Sequence, residues 1–445
     1  MNPDAKAKDQ NTSVWLFYGL LLIFIFEYMR PGSLEFRQAL KLNTAIPISV
    51  FILSFLSKRG PRNLEVINAT NTRWLLLFLF LLILSFITAD VKLYVYETFK
   101  TVIGYVIFYY AIVKNVTNEK RVSILFLLLI MIHIALILLN PDVILESRVS
   151  IRGVTFLGDG NDFALSVCII IPFAIYLIQT SERYYKKIIV ISFIAILIYA
   201  VIGTQSRGGF IALVSICLYI CMYSKNKIKI SITAIIIAVI IGIAAPQAFY
   251  DRIISIKDYE TEGSAQGRIM AWKSAISMGM NNPIVGVGAG HFPVKYGTEY
   301  RPPGVGRTDI PWSTAHSIYF LAFGEFGFPG LIFLVGLVTH NIMRCNKYIK
   351  ILENIGSDSA VRYMMLAITV NSSMIAFAVG GLFLSALYYP HLFVLVGINE
   401  SVISTIAKQE NINLRSNIHA EVGLRTINDN MMKSRSPGTV NILQV

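Results

Sequence analysis

Long apolar runs alternate with short polar breaks along nearly the whole chain. They occupy 14–29, 43–57, 74–89, 93–113, 122–139, 163–179, 188–204, 209–223, 230–249, 316–338, 363–380 and 383–404. Each is close to the ~20 residues that cross a ~30 Å hydrocarbon core at a helical rise of ~1.5 Å. The pattern predicts an all-α polytopic membrane protein with about 12 transmembrane helices. It lapses longest between 250 and 315, where one large segment outside the bilayer is expected, and the ends, 1–12 and 405–445, are polar. The first run follows Lys6 and Lys8 and has no small-residue cleavage site after it, so it reads as a retained span. No heptad seam, internal repeat or soluble-domain boundary interrupts the pattern.

Composition agrees. The 445 residues are 55% hydrophobic and 15% charged, with a mean hydropathy of +0.61, above the roughly half-apolar make-up of globular domains. The net charge of +13 is distributed by loop. Alternate loops hold Lys58, Arg59, Arg62 and Arg73; Lys114, Lys120 and Arg121; Arg183, Lys186 and Lys187; Lys225, Lys227 and Lys229; and Arg344, Lys347, Lys350 and Arg362. These share a side with both termini, and positively charged short loops mark the cytoplasm. Topology accounts for the charge, and nucleic acid is not needed to explain it. Cys168, Cys217 and Cys221 fall within spans and Cys345 on the cytoplasmic side; with no CxxC spacing, neither a disulfide framework nor a metal site is expected.

The opposite face is where chemistry has room. Its arginines include Arg148, Arg152, Arg207, Arg252, Arg268, Arg301 and Arg307, and Arg30 borders the first span. A planar guanidinium forks onto phosphate in a way that lysine cannot, although snorkelling toward lipid headgroups is the simpler use of any one of them. Arg207 stands apart because it sits in the tight break Ser206-Arg207-Gly208-Gly209 between two spans, where glycine allows close approach. Residues 265–278 read as an amphipathic surface helix with Ile269, Met270, Trp272 and Ile276 on its apolar side. Arg268 is expected near its start, where an anion is favoured. Gly286, Gly288 and Gly290 do not have dinucleotide-binding spacing and predict a mobile loop. His316 opens the tenth span and is the side chain suited to proton transfer near neutrality, with a structural interfacial role as its alternative. Glu325 lies nine residues deeper, about 13 Å at helical rise, where a carboxylate needs a partner or a water-filled cavity.

Three elements in this order resemble the O-antigen ligase family of bacterial inner-membrane enzymes, which includes O-antigen polymerases and protein O-oligosaccharyltransferases. They are Ser206-Arg207-Gly208; Gly267-Arg268 through Asn282-Pro283-Ile284-Val285-Gly286-Val287-Gly288; and Ala315-His316-Ser317 through Glu325-Phe326-Gly327. The similarity is sharpest over 203–330, and GDGNDFAL (158–165) with EYMRPG (27–32) is similar to the O-glycosylation ligase branch. Ser317 departs from the asparagine of many members. The resemblance implies a GT-C-like glycosyltransferase architecture in the cell inner membrane, with its site on the periplasmic face. It implies an undecaprenyl-diphosphate-linked glycan as donor. The acceptor is lipid A core, as in lipopolysaccharide biosynthesis, or a protein, or a second lipid-linked glycan. Arg207 and Arg268 would grip the diphosphate and His316 would act as base, with Arg148, Arg152 and Glu325 as secondary candidates. No cofactor is implied; with no DxD in the outward loops, arginines stand where other glycosyltransferases use a divalent ion. The competing class is a transporter of lipid-linked sugars, which inverted repeats and several mid-membrane charges would favour.

Overall fold

The computed structural model describes residues 3–30, 42–140, 151, 154–223, 263–301 and 313–409, and these contain helices, turns and no strand. In chain order the helices are α1 (Pro3–Tyr28), α2 (Leu42–Leu56), α3 (Asn63–Asn68), α4 (Thr70–Thr88), α5 (Lys92–Asn115), α6 (Glu119–Leu139), α7 (Gly160–Thr180) and α8 (Tyr184–Gly203). There follow α9 (Arg207–Tyr223), α10 (Gly263–Asn281), α11 (Phe292–Thr298), α12 (Ile318–Ile355), α13 (Asp358–Gly380) and α14 (Pro390–Gln409). Every expected span coincides with a helix except 230–249, which lies outside the described residues. Among the described residues seven helices, α4, α6, α7, α8, α12, α13 and α14, are long and apolar enough to cross a bilayer. Shorter apolar stretches occur in α1, α2 and α9.

The bundle is built around α14. Its apolar window is 89% buried, against 33% for α4 and α8. Leu392, Phe393, Val394, Leu395 and Val396 are all buried although they point in every direction round the helix, as expected of a helix enclosed by others. Flanking helices pack through aromatic faces. Phe126 of α6 stacks on Phe173 of α7 with centroids 4.0 Å apart, and Phe24 of α1 meets Phe108 of α5 at 4.5 Å. At the end of the bundle where α12 finishes, Glu400 of α14 takes both Arg344 of α12 (Nη2–Oε1 3.0 Å) and Asn71 of α4 (2.9 Å). Asn71 and Asn341 also exchange hydrogen bonds of 3.1 and 2.9 Å. A buried carboxylate is tolerated there because its lone pairs are occupied.

Two expectations about boundaries change. The twelfth run was expected to be helical from 383, yet α14 begins at Pro390. Residues between Gly380 and Pro390 form two short 3-10 turns, Gly381–Phe383 and Ala386–Tyr388, separated by an extended Leu384. Proline is favoured in the first turn of a helix, where its missing N–H is not needed. The other concerns α10, which starts at Gly263, so Arg268 lies in its second turn instead of at its start.

Candidate active site

The site is organised by a break in α12. Pro329 has no N–H to donate to the Glu325 carbonyl one turn earlier, and Gly327 adopts φ 65°, ψ −154°, outside helical geometry. The break frees the Gly324 and Glu325 carbonyls and the Phe328 N–H, none of which can stay unpaired inside a bundle. The stretch 283–288 takes all three. Val287 N donates to Gly324 O (3.0 Å), Gly288 N to Glu325 O (3.0 Å), and Phe328 N to Pro283 O (2.8 Å). The approach needs glycine on both sides. A Cβ on Gly286, at φ 63°, would overlap the Glu325 backbone, and one on Gly327 would overlap the Pro283 carbonyl. The glycine-rich segment expected to be mobile is therefore docked backbone to backbone.

The Glu325 side chain completes the joint. It is 1% exposed, accepts from Phe292 N at the head of α11 (2.9 Å), and takes the Tyr388 hydroxyl. These are the partners that a carboxyl at this depth requires. On the other side of α11, Val91 N donates to His291 Nε2 (3.0 Å) and Lys295 Nζ pairs with Asp90 at 2.7 Å. The Lys295 hydrogen bond holds the Asp90 carboxyl below the usual range.

Helix α10 runs parallel to the first turns of α12. Trp272 stacks on Phe320 (5.1 Å), Gly324 lies against Ala275, and Gly279 packs on Phe323. The seam is made by the small residues Ala271, Ala275 and Gly279, spaced four apart, while Ile276 and Met280 are exposed. One turn before Trp272 is Arg268, and one turn before Phe320 is His316, so this register brings the two to the same level.

His316 precedes α12 in a left-handed conformation (φ 48°), which costs energy in a non-glycine residue and persists only where neighbours fix it. Those neighbours are hydroxyls: its backbone N donates to Ser385 Oγ (2.8 Å), and its Nε2 lies 3.1 Å from Ser313 Oγ. Burial, then the Arg268 guanidinium, hold the ring below the ordinary histidine range, and the Asp159 carboxylate acts in the opposite direction.

Arg207 is the first residue of α9, after a three-residue turn from α8 in which Gln205 has φ 52°. Ser206 Oγ accepts from Gly209 N (3.1 Å), an N-cap that fixes the helix start. Gly208 packs on Phe383, and Gly381 lies against Ile318 of α12. The turn 381–385 thus touches both the Arg207 helix start and His316. Gly209 in turn lies against Ala164 of α7, whose N-cap is Asp159. The N-termini of α7, α9 and α12 consequently border one region.

Of the expected site residues, Arg207, Arg268, His316 and Glu325 are described; Arg268 and His316 lie close together, and Glu325 sits beneath them as a joint. Arg148 and Arg152 lie outside the described residues, as do Arg252 and Arg307. Arg30 places its guanidinium 6.0 Å from the Phe156 ring centroid. Sequence reasoning missed the turn 381–389, with Ser385 and Tyr388, and gave Asp159 no role of its own. Its only signals were Gly380-Gly381 and Pro390 at the ends of an apolar run. Among the described residues no cluster of three or more His, Cys, Asp or Glu side chains could hold a metal ion.

The fold defines a polytopic helical membrane protein. Residues 191–335 match the family model described as O-antigen ligase, and the resemblance to that family is shown by this match. The matched stretch contains Arg207, Arg268, His316 and Glu325; EYMRPG and GDGNDFAL lie outside it. No curated protein matches the chain.

Proposed function

We propose that this protein is a membrane glycosyltransferase of the O-antigen ligase type, which transfers a glycan from undecaprenyl diphosphate to an acceptor hydroxyl on the periplasmic face. The observation that carries the reading is the meeting of His316 with Arg268 beside the first turn of α9, headed by Arg207. Two guanidiniums and adjoining helix N-termini suit a diphosphate, and a histidine freed of its proton by burial and a nearby cation suits a general base.

In this mechanism Arg207 and Arg268 hold the diphosphate of the donor. His316 removes the proton of the acceptor hydroxyl as its oxygen attacks the anomeric carbon. The bond from that carbon to the phosphate oxygen breaks, undecaprenyl diphosphate leaves with the electron pair, and the anomeric carbon inverts. The arginines neutralise charge growing on the leaving group, the kind of fixed electrostatic support that commonly contributes most to catalysis. No cofactor or metal is assigned a step. A ligase places the glycan on lipid A core or protein; a polymerase of the same family uses a second lipid-linked glycan.

The test is reconstitution. Purified protein in lipid nanodiscs, given the lipid-linked donor and a hydroxyl acceptor, should form the inverted glycoside and release undecaprenyl diphosphate without ATP. Donor recovered intact with every acceptor class, from protein that binds it, would refute the reading.

A further inference from the structure

The stretch 158–162 has no role in the transfer as described, yet it adjoins the residues that do. Asp159 caps α7, its Oδ1 accepting from Asn161 N (2.8 Å) and Asn161 Nδ2 (3.0 Å). Two residues of one short turn tie this cap to His316. Ser385 Oγ accepts from His316 N at 2.8 Å, and four residues on, Tyr389 donates its hydroxyl to Asp162 Oδ2 at 3.1 Å. Ala164, one turn into α7, lies against Gly209, two residues from Arg207. The first turn of α7 thereby packs on the start of α9 and is linked to His316 through the 381–389 turn.

The charges around His316 are lopsided. Arg268 faces it from α10, and Arg207 heads α9 across the 381–385 turn. On its own helix, Glu325 is engaged by Phe292 N and Tyr388, and Tyr319 by the Ala378 carbonyl. Asp162 is engaged by Tyr389. Asp159 is the group whose field favours a protonated ring, against burial and Arg268. A base that must accept a proton beside an arginine needs such a counter-charge.

We propose that Asp159 is a positioning residue for the transfer, its carboxylate supplying the counter-charge that stabilises the His316 imidazolium formed when the acceptor hydroxyl gives up its proton. The acceptor proton rests on His316 while the leaving diphosphate carries the electron pair. This rests on the reading of His316 as the base.

Aspartate, asparagine and serine are comparable N-caps, so Asp159→Asn and Asp159→Ser remove the charge and keep the helix start. Full-length protein in nanodiscs, labelled at histidine carbons, is titrated by NMR, with the His316 signal identified by its loss in His316→Ala. Both Asp159 variants should titrate His316 at lower pH than wild type. Their kcat should fall roughly 3- to 10-fold with donor KM unchanged, and the acid limb of kcat/KM should move to lower pH by the same interval. An unmoved titration in both variants, alongside an inactive His316→Ala, would show that Asp159 is a cap only and overturn the proposal. A moved titration with wild-type turnover in His316→Ala would instead remove the base assignment, and with it any catalytic use of the pair.

Discussion

Replacing Glu325 tests the joint under the site without touching the proposed chemistry. Glu325→Ala strips the acceptor from Phe292 N, which is buried, and from the half-buried Tyr388 hydroxyl. A buried donor left unpaired costs about 1–3 kcal/mol and a lost ordinary hydrogen bond about 1. Truncating a side chain that is 1% exposed also leaves a cavity, worth about 1 kcal/mol more where the surroundings relax. The sum is about 3–5 kcal/mol. Glu325→Gln keeps the volume and one carbonyl oxygen facing Phe292 N, and should lose only about 1 kcal/mol. Thermal unfolding in detergent should therefore rank wild type, then Gln, then Ala, with most of the loss at Ala. Hydrogen exchange gives the local readout. The amides of Val287 and Gly288, bonded to the α12 break, should lose protection in the alanine variant before the rest of the bundle does. An alanine variant with wild-type melting and unchanged protection at these amides would refute the account, as would a glutamine variant as damaged as alanine.

Arg207→Ala and Arg268→Ala should each lower turnover roughly 10²- to 10³-fold in folded protein, with lysine restoring it only in part because it lacks the bidentate fork; activity should survive EDTA. His316→Ala should lose roughly 10²- to 10⁴-fold. Because the base must be neutral and its ring is held below the ordinary range near ~6.5 by burial and Arg268, wild-type kcat/KM should stay flat at neutral pH and decline only as pH falls below that range. A decline beginning above it would contradict the site's electrostatics. Gly286→Ala should behave like Glu325→Ala in melting and amide exchange, since a Cβ there overlaps the Glu325 backbone. In a cysteine-free background, Thr298→Cys should react with an impermeant thiol reagent in outer-membrane-permeabilised cells and Asn354→Cys should not; the reverse would invert the proposed topology.

The helices were legible because crossing a bilayer demands only length and apolarity, which the runs display directly. Arg207, Arg268 and His316 stood out as candidates because arginines on the expected outward face and a histidine at the edge of an apolar run invite a chemical explanation, and the family resemblance supplied the roles proposed for them. What stayed hidden is carried by backbone. The docking of 283–288 onto α12 uses main-chain groups, and its sequence trace is a proline that cannot donate and glycines that leave room, cues equally compatible with a loose loop. The 381–389 turn was hidden inside an apolar run, because apolar residues in a bundle serve turns as readily as helices. In α10 the apolar side chains pointed to Ile276, yet the seam is made by Ala271, Ala275 and Gly279, since helix backbones approach closely only over small residues.

A broken span and a buried carboxylate are features of transporters as well as of enzymes, so the distribution of satisfied polar groups bears on the choice. In transporters, unwound helices leave backbone groups available to substrate or coupling ion near the midplane. Here the groups freed at Gly327 are taken by Pro283, Val287 and Gly288, and the Glu325 carboxyl by Phe292 and Tyr388. At the far end of the bundle Asn71, Asn341, Arg344 and Glu400 bind one another, and between these two regions α14 is enclosed by apolar neighbours. A path for a charged headgroup through the described bundle would have to open both polar joints and separate α14 from its surroundings. The region at His316 asks for no such rearrangement, because Arg207 already heads α9, His316 precedes α12, and Arg268 faces the histidine from the second turn of α10. Under the proposed topology the same arrangement gives two outward arginines a use: Arg207 stands where the N-termini of α7, α9 and α12 favour an anion, Arg268 stands beside His316, and an anion held there need not cross the membrane to react.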